Sequence, residues 1–146
     1  IVQPTRAYFG QKDAQQLAII ETLVRDYNFP LEIRRVETVR EEDGLAKSSR
    51  NVFLSPTERE EAPALQKAIK LGIEDYSKHG DVNQAVAITK KLIEEKTSGK
   101  IDYVELLGYP NLTKPTNTQE DVILAVAVFF EKARLIDNII LTNKGE

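Results

Sequence analysis

The segment RAYFGQKDAQQLAIIETLVRDYNFPLEIRRV, residues 6–36, decides the fold of this chain. It opens with a short strand-like stretch that ends at Gly10. From Asp13 onward, apolar residues recur every three or four positions, which is the spacing of one face of a helix. The predicted apolar face consists of Leu17, Ile20, Leu23 and Val24. A proline ends this helix near Asn28, and residues 31–36 then alternate apolar and charged side chains, which is typical of a strand. The order strand, helix, strand predicts a βαβ unit and a parallel sheet.

The pattern changes near Leu54, and the rest of the chain is predicted to be a separate α+β unit. It opens with Ser55-Pro56-Thr57-Glu58, which has the form of a helical capping box with proline at the first helical position. Two amphipathic helices and three strands are predicted to follow, at 63–78, 82–96, 101–107, 122–130 and 135–141, with the last two strands forming a hairpin. The predicted fold class is therefore α/β. Residues 1–54 end a doubly wound parallel sheet, and residues 55–146 form a small α+β C-terminal domain.

The overall composition excludes several classes of function. The chain has 146 residues, a formal net charge of −3 and no cysteine. Disulfides and thiolate nucleophiles are therefore impossible, and the net charge gives no general basic surface for nucleic acid. The longest apolar run, 122–130, is too short to cross a bilayer as a helix, so no membrane contact is expected. The first four residues contain neither methionine nor signal-peptide features, and we interpret the chain as part of a longer cytoplasmic protein.

The first candidate site is the sequence Phe9-Gly10-Gln11-Lys12-Asp13-Ala14-Gln15-Gln16, where the first strand gives way to the helix. A glycine there lets a ligand approach the backbone, and the free amides of a helix start attract anions. Lys12 adds a full positive charge, so the segment has the outline of a phosphate site. The alternative is purely structural, with Gly10 turning the chain and Asp13 capping the helix.

The second candidate site is Lys47-Ser48-Ser49-Arg50-Asn51, in the loop that follows the second strand. Two hydroxyls between two cations could hold a polyphosphate and stabilise its charge as a bond to phosphorus breaks. The alternative is an ordinary solvated loop. Both candidate loops follow strands of one βαβ unit, and ligands bind at the carboxyl ends of such strands.

Other polar residues are given structural roles. The only histidine, His79, is interpreted as a helix-end residue favoured by the helix dipole. The acidic runs 41–43 and 58–61 are interpreted as solvated faces.

The ordered series of motifs over residues 3–55 resembles the pantothenate synthetase family. The resemblance is carried by Gln3-Pro4, Phe9-Gly10-x-Lys12-Asp13-x-Gln15-Gln16, Asn28-Phe29-Pro30, Thr38-Val39-Arg40-Glu41-x-Asp43-Gly44-Leu45-Ala46-x-Ser48-Ser49-Arg50-Asn51 and Leu54-Ser55. The later part of the chain, including Ile101-Asp102-Tyr103, is similar to the C-terminal domain of that family.

The resemblance implies a nucleotidyltransferase-like fold and an AMP-forming ligase that joins pantoate to β-alanine through a pantoyl adenylate, with ATP and magnesium. It implies that Lys12, Ser48, Ser49 and Arg50 contact the ATP phosphates and are the catalytic residues. It also implies that Gly10 and Asp13 lie at the ribose, that Val39 and Lys47 lie near adenine, and that Gln16 binds pantoate. A homodimer is implied for the parent enzyme.

The family's His-x-Gly-His motif is absent from the sequence, which has one histidine. We therefore expect the magnesium ligands and further phosphate contacts to lie in a preceding half of the nucleotide-binding domain. The chain by itself is expected to be inactive. Two other interpretations stay open: a different nucleotidyltransferase-like adenylating enzyme, and a non-catalytic module in which residues 55–146 act as a lid or binding unit.

Overall fold

A computed structural model describes residues 2–142 and confirms the predicted βαβ unit. Strand β1 (Arg6–Gly10) leads into helix α1 (Ala14–Asp26), which returns to strand β2 (Glu32–Val36). The two strands are parallel. Asp13 caps α1 by accepting a hydrogen bond from the Gln16 backbone amide at 3.2 Å. Such a cap satisfies one of the amides that a helix start leaves unpaired.

Three helices follow, connected to β2 by an irregular loop that ends in a 3₁₀ helix at Ser49–Phe53. They are α2 (Pro56–Glu61), α3 (Ala64–His79) and α4 (Val82–Lys96). The predicted capping box of α2 is present, since Ser55 and Glu58 exchange side-chain and backbone hydrogen bonds. Gly80 ends α3 with a left-handed φ of 68°, which glycine adopts without steric cost.

Strands β3 (Lys100–Gly108), β4 (Val122–Phe129) and β5 (Arg134–Leu141) form an antiparallel sheet in that order. The predicted hairpin between the last two strands is confirmed by pairing from Val122↔Leu141 to Phe129↔Arg134. This is the second sheet of the molecule, beside the parallel pair of β1 and β2.

The antiparallel sheet is covered on both faces, and this arrangement positions the site. One face packs on α3 and α4 around fully buried side chains that include Leu65, Ile69, Ile93 and Leu124. The other face meets α1, where Ala14 and Ala18 pack against Tyr109 and Ile123. The start of α1 therefore lies over the sheet.

Two expectations about surfaces were wrong. Leu23, predicted on the buried face of α1, is 46% exposed, because the helix packs on the sheet through its small residues Ala14 and Ala18. Glu58, predicted on a solvated face, is buried and accepts hydrogen bonds from the backbone amides of Glu131 and Ser55, each at 2.8 Å. These two hydrogen bonds hold the pKa of the Glu58 carboxyl below its usual range, and the bond from Glu131 has the larger effect.

Candidate anion-binding site between two loops and a sheet

The two candidate loops meet at Lys12. Its Nζ donates a hydrogen bond of 2.6 Å to the backbone carbonyl of Lys47, although 35 positions separate the two residues. The first loop leaves β1 and the second follows β2, so the parallel pairing of the strands brings both to one edge of the small sheet. The contact joins two segments that the sequence suggested separately.

A cavity of about 490 Å³ opens beside this contact. Lys12, Asp13, Gln15 and Arg50 line it from the loop side. The opposite wall is the antiparallel sheet, which contributes Tyr103, Glu105, Ala125, Ile136 and Asn138 among others. A smaller cavity of about 60 Å³ adjoins it, and Lys12, Ser48, Arg50 and Asn51 are among its lining residues. Cations from both loops thus face one space that could admit a polyphosphate.

The positive charges around Lys12 favour the binding of an anion. Burial lowers the pKa of its amine, and the nearby positive charges of Arg50 and Arg40 lower it further, while Asp137 partly opposes them. Within residues 2–142, the Arg50 guanidinium has no carboxylate partner. An incoming phosphate would compensate both charges, because an opposite charge at close range favours the protonated amine.

The other predicted phosphate residues lie on the same loop with different exposures. Ser48 caps the 3₁₀ helix, since its hydroxyl oxygen accepts a hydrogen bond of 3.2 Å from the Arg50 backbone amide. Ser49 is exposed and lines neither of these two cavities. The structure therefore brings Lys12, Ser48 and Arg50 to the two adjoining cavities, whereas Ser49 lies outside both.

Of the four predicted ribose and adenine residues, Asp13 lines the large cavity, whereas Gly10, Val39 and Lys47 line neither cavity. Gly10 ends β1, and a side chain added there would meet nothing within 4 Å, so packing in this chain does not require glycine. Val39 is 62% exposed, and its carbonyl accepts a hydrogen bond of 2.9 Å from the Lys47 amide. Gln16 is exposed on the first turn of α1 and does not line the large cavity, whereas its neighbour Gln15 does.

Sequence reasoning missed a polar pair on β5 that supports the site. Asp137 is 4% exposed and forms a two-pronged ion pair with Arg40, at 2.7 and 2.9 Å. Asn138 donates hydrogen bonds of 3.0 Å to the carbonyls of Gln11 and Lys12. The available signal was two consecutive polar residues inside the otherwise apolar run 135–141.

Arg134 was also missed, although its guanidinium borders both cavities. It pairs with Asp102 at 2.7 Å and lies over the ring of Tyr103, 5.8 Å from the ring centroid. Burial raises the pKa of the Tyr103 hydroxyl, and the positive charge of Arg134 partly opposes that rise. The hydroxyl therefore stays protonated at neutral pH and can donate a hydrogen bond into the cavity.

Neither a metal centre nor a membrane segment is found in the described part of the chain. Across residues 2–142, no three His, Cys, Asp or Glu side chains are grouped closely enough to hold a metal ion. No helix in the same range is long and apolar enough to cross a membrane.

The fold places the molecule among nucleotidyltransferase-like α/β proteins, with a parallel βαβ unit whose loops face a cavity lined by Lys12 and Arg50. The family model for Pantoate-beta-alanine ligase matches residues 1–140, so the chain belongs to that family.

Named relatives agree with this assignment. The chain is 60% identical over 141 residues to the pantothenate synthetase of Lysinibacillus sphaericus, covering 97% of the chain and 50% of that protein. It is 53% identical over 141 residues to the pantothenate synthetase of Bacillus subtilis, covering 97% and 49% respectively. The chain thus spans about half the length of the curated relatives it matches.

Solved structures share the fold. The crystal structure of pantothenate synthetase from Thermus thermophilus superimposes with a TM-score of 0.84 at 42% identity, covering 94% of this chain and 50% of that one. A pantoate-beta-alanine ligase from Francisella tularensis, crystallised in complex with beta-gamma ATP and beta-alanine, superimposes with a TM-score of 0.60 at 27% identity, covering 94% and 44%.

Proposed function

We propose that this chain supplies the ATP-phosphate side of a pantoate:β-alanine ligase that works through a pantoyl adenylate. The observation that carries the proposal is the convergence of Lys12 and Arg50, from two different loops, on one cavity at the start of α1. The proposed substrates follow from family membership, and the complex of the Francisella tularensis relative with beta-gamma ATP and beta-alanine supports ATP and β-alanine as two of them.

The proposed reaction needs no nucleophile from the protein. A carboxylate oxygen of pantoate attacks the α-phosphorus of ATP, the bond to the bridging oxygen breaks, and pyrophosphate leaves with that electron pair. The amine of β-alanine then attacks the acyl carbon, AMP leaves, and one proton is released. Negative charge builds on phosphate oxygens in the first step, so the positive charges of Lys12 and Arg50 stabilise its transition state.

The remaining roles follow the same proposal. Ser48 and Ser49 donate hydroxyl hydrogen bonds to phosphate oxygens, Gly10 and Asp13 border the ribose, and Val39 and Lys47 border adenine. The open space beside Gly10 supports close approach of a ligand to the backbone there. Magnesium would neutralise phosphate charge, and its protein ligands are proposed to lie outside this chain. A division near Leu54, a cytoplasmic location and a homodimeric parent belong to the same proposal.

The direct test is an ATP titration of the purified chain followed by nuclear magnetic resonance. We expect weak binding that perturbs the amides of Lys12 and residues 48–50, because this chain provides only part of the phosphate contacts. A non-catalytic lid or binding module would leave those amides unchanged. In an AMP-release assay with ATP, pantoate, β-alanine and magnesium, we expect no detectable turnover from the chain alone. A rate near the common enzymatic range of about 1 per second or faster would contradict the proposal.

Gln16 is the proposed pantoate contact, and its substitution separates pantoate binding from ATP binding. It lies four positions after Lys12, in the first turn of α1, and its amide can hydrogen-bond hydroxyl and carboxylate groups. In the complete protein that carries this sequence, we expect Gln16→Ala to raise the KM for pantoate much more than the KM for ATP. Gln15→Ala is the matched comparison, because Gln15 lines the cavity while Gln16 does not. Equal effects of Gln16→Ala on both KM values would show that Gln16 has no specific role in pantoate binding. ATP–pyrophosphate exchange supported by a different acid would favour another nucleotidyltransferase-like adenylating enzyme.

A further inference from the structure

Asn138 contacts the backbone of the loop that carries Lys12. Its side chain is on β5, in the second half of the chain, and the residue is 7% exposed. The amide nitrogen Nδ2 donates to the carbonyl of Gln11 and to the carbonyl of Lys12, both at 3.0 Å. A primary amide has two donor hydrogens, so both can be used in these bonds.

The two carbonyls lie in the two peptide planes that flank the Cα atom of Lys12. Because peptide units are planar, fixing both planes fixes φ and ψ at that residue and with them the direction of the Cα–Cβ bond. The far end of the side chain is also held, since Nζ donates to the Lys47 carbonyl at 2.6 Å. Lys12 is thus tethered at its backbone by β5 and at its tip by the second loop.

The strand that carries Asn138 is itself anchored at this point. A carboxylate oxygen of Asp137 accepts a hydrogen bond of 2.8 Å from the Asn138 backbone amide and also binds Arg40 at 2.9 Å. Arg40 belongs to the segment that leads into the second loop, and it donates a further hydrogen bond of 3.1 Å to the Gly44 carbonyl. The polar pair on β5 therefore contacts both the first loop and the segment that leads into the second loop.

We propose that Asn138 is a positioning residue that sets the direction of Lys12 toward the phosphates during adenylate formation. This inference rests on the function proposed above for Lys12. Asn138 acts through the Lys12 backbone, so its loss should lower the rate of the chemical step more than it weakens ATP binding. An error of about 1 Å in the placement of a catalytic group can cost about 100-fold in rate.

Asn138→Asp is the sharpest variant, because aspartate has the same shape with oxygen in place of the donor nitrogen. Its carboxylate oxygens would face two carbonyl oxygens and could donate to neither while ionised. Asn138→Ala removes both hydrogen bonds without adding charge, and it keeps the test valid if the buried carboxylate prevents folding. Asn83→Asp is the matched control, an identical chemical change at an exposed residue in the first turn of α4, where a negative charge suits the helix dipole.

The experiment measures kcat for AMP release, the KM for ATP and the thermal unfolding temperature in the complete protein that carries this sequence. It also follows the acylation of individual lysines by acetic anhydride with mass spectrometry. At a temperature where circular dichroism shows each variant folded, we expect Asn138→Ala to lower kcat by about tenfold to 100-fold and to change the KM for ATP far less. Lys12 should become more reactive to acylation relative to the exposed Lys90, and Asn83→Asp should match the wild type.

A merely structural role would lower the unfolding temperature while leaving kcat and the acylation of Lys12 unchanged, and this result would overturn the inference. Lys12→Ala measured in the same assay separates the two proposals. If Lys12→Ala abolishes turnover and Asn138→Ala does not slow it, the positioning role is wrong and the proposed function stands. If Lys12→Ala itself leaves turnover intact, the proposed function fails.

Discussion

Lys12→Ala and Arg50→Ala are each expected to slow pantoyl adenylate formation by about 100-fold or more in the complete protein that carries this sequence. The two cations face one cavity from different loops, and each would neutralise charge on phosphate oxygens as pyrophosphate leaves. A donor that already points at the place where charge develops needs no reorganisation at the moment of reaction, so its removal is costly. Single-turnover formation of labelled pyrophosphate from ATP and pantoate measures this step.

Lys90→Ala is the matched control for both substitutions, because Lys90 is an exposed cation on α4 outside the lining of both cavities. It should leave the single-turnover rate unchanged. A KM for ATP that rises while the single-turnover rate at saturating ATP stays normal would show that Lys12 and Arg50 only bind ground-state ATP. Near-normal rates and KM values in both variants would remove their catalytic role.

Asp137→Asn is expected to destabilise the folded chain by about 3 kcal/mol, because it removes the charged partner of Arg40. The side chains in this ion pair are only 4% and 19% exposed, so the stranded guanidinium would stay largely out of water. For a chain of this size the loss corresponds to a fall of about 10 °C in the unfolding temperature. Thermal and urea unfolding of the purified chain, followed by circular dichroism, measure both quantities.

Glu32→Gln provides the comparison for Asp137→Asn, since it removes a carboxylate that pairs with Arg6 and Arg34 on the surface. Those side chains are about half exposed, at 50% for Glu32 and 56% and 49% for the two arginines. Solvent screening limits the expected loss to about 1 kcal/mol or less. Equal effects of the two substitutions would show that the Asp137–Arg40 pair is screened as a surface pair is, against the burial seen in the structure.

Local sequence signals predicted the order and type of the secondary elements. The capping box at Ser55, the Gly80-Asp81 break and the alternation in residues 31–36 all act within a few positions of the chain, and the structure confirms each. Their physical causes are short-ranged: hydrogen bonds at a helix end, a left-handed φ, and side-chain alternation across a strand. Sequence reasoning therefore reached the βαβ unit and the hairpin of β4 and β5.

The same reasoning failed where burial depends on a distant partner. Leu23 fits the periodicity of an apolar face, yet it stays exposed because α1 approaches the sheet through Ala14 and Ala18. Glu58 looks like one more surface carboxylate, yet it is buried against the backbone amide of Glu131, 73 positions away. Periodicity identifies a candidate face, and only the neighbouring element decides which part of it is covered.

The sequence by itself determined that two loops with Lys12, Ser48 and Arg50 follow the strands of a parallel unit, because the turn and helix signals that place them are local. Tertiary structure alone decided that Lys12 reaches the Lys47 carbonyl and that β5 forms the far wall of the cavity. It also decided that Asn138 holds both peptide planes around Lys12, across 126 and 127 positions of the chain. Contacts over such separations depend on how whole elements pack, and no short-range preference of Asn138 encodes the two carbonyls that its side chain contacts.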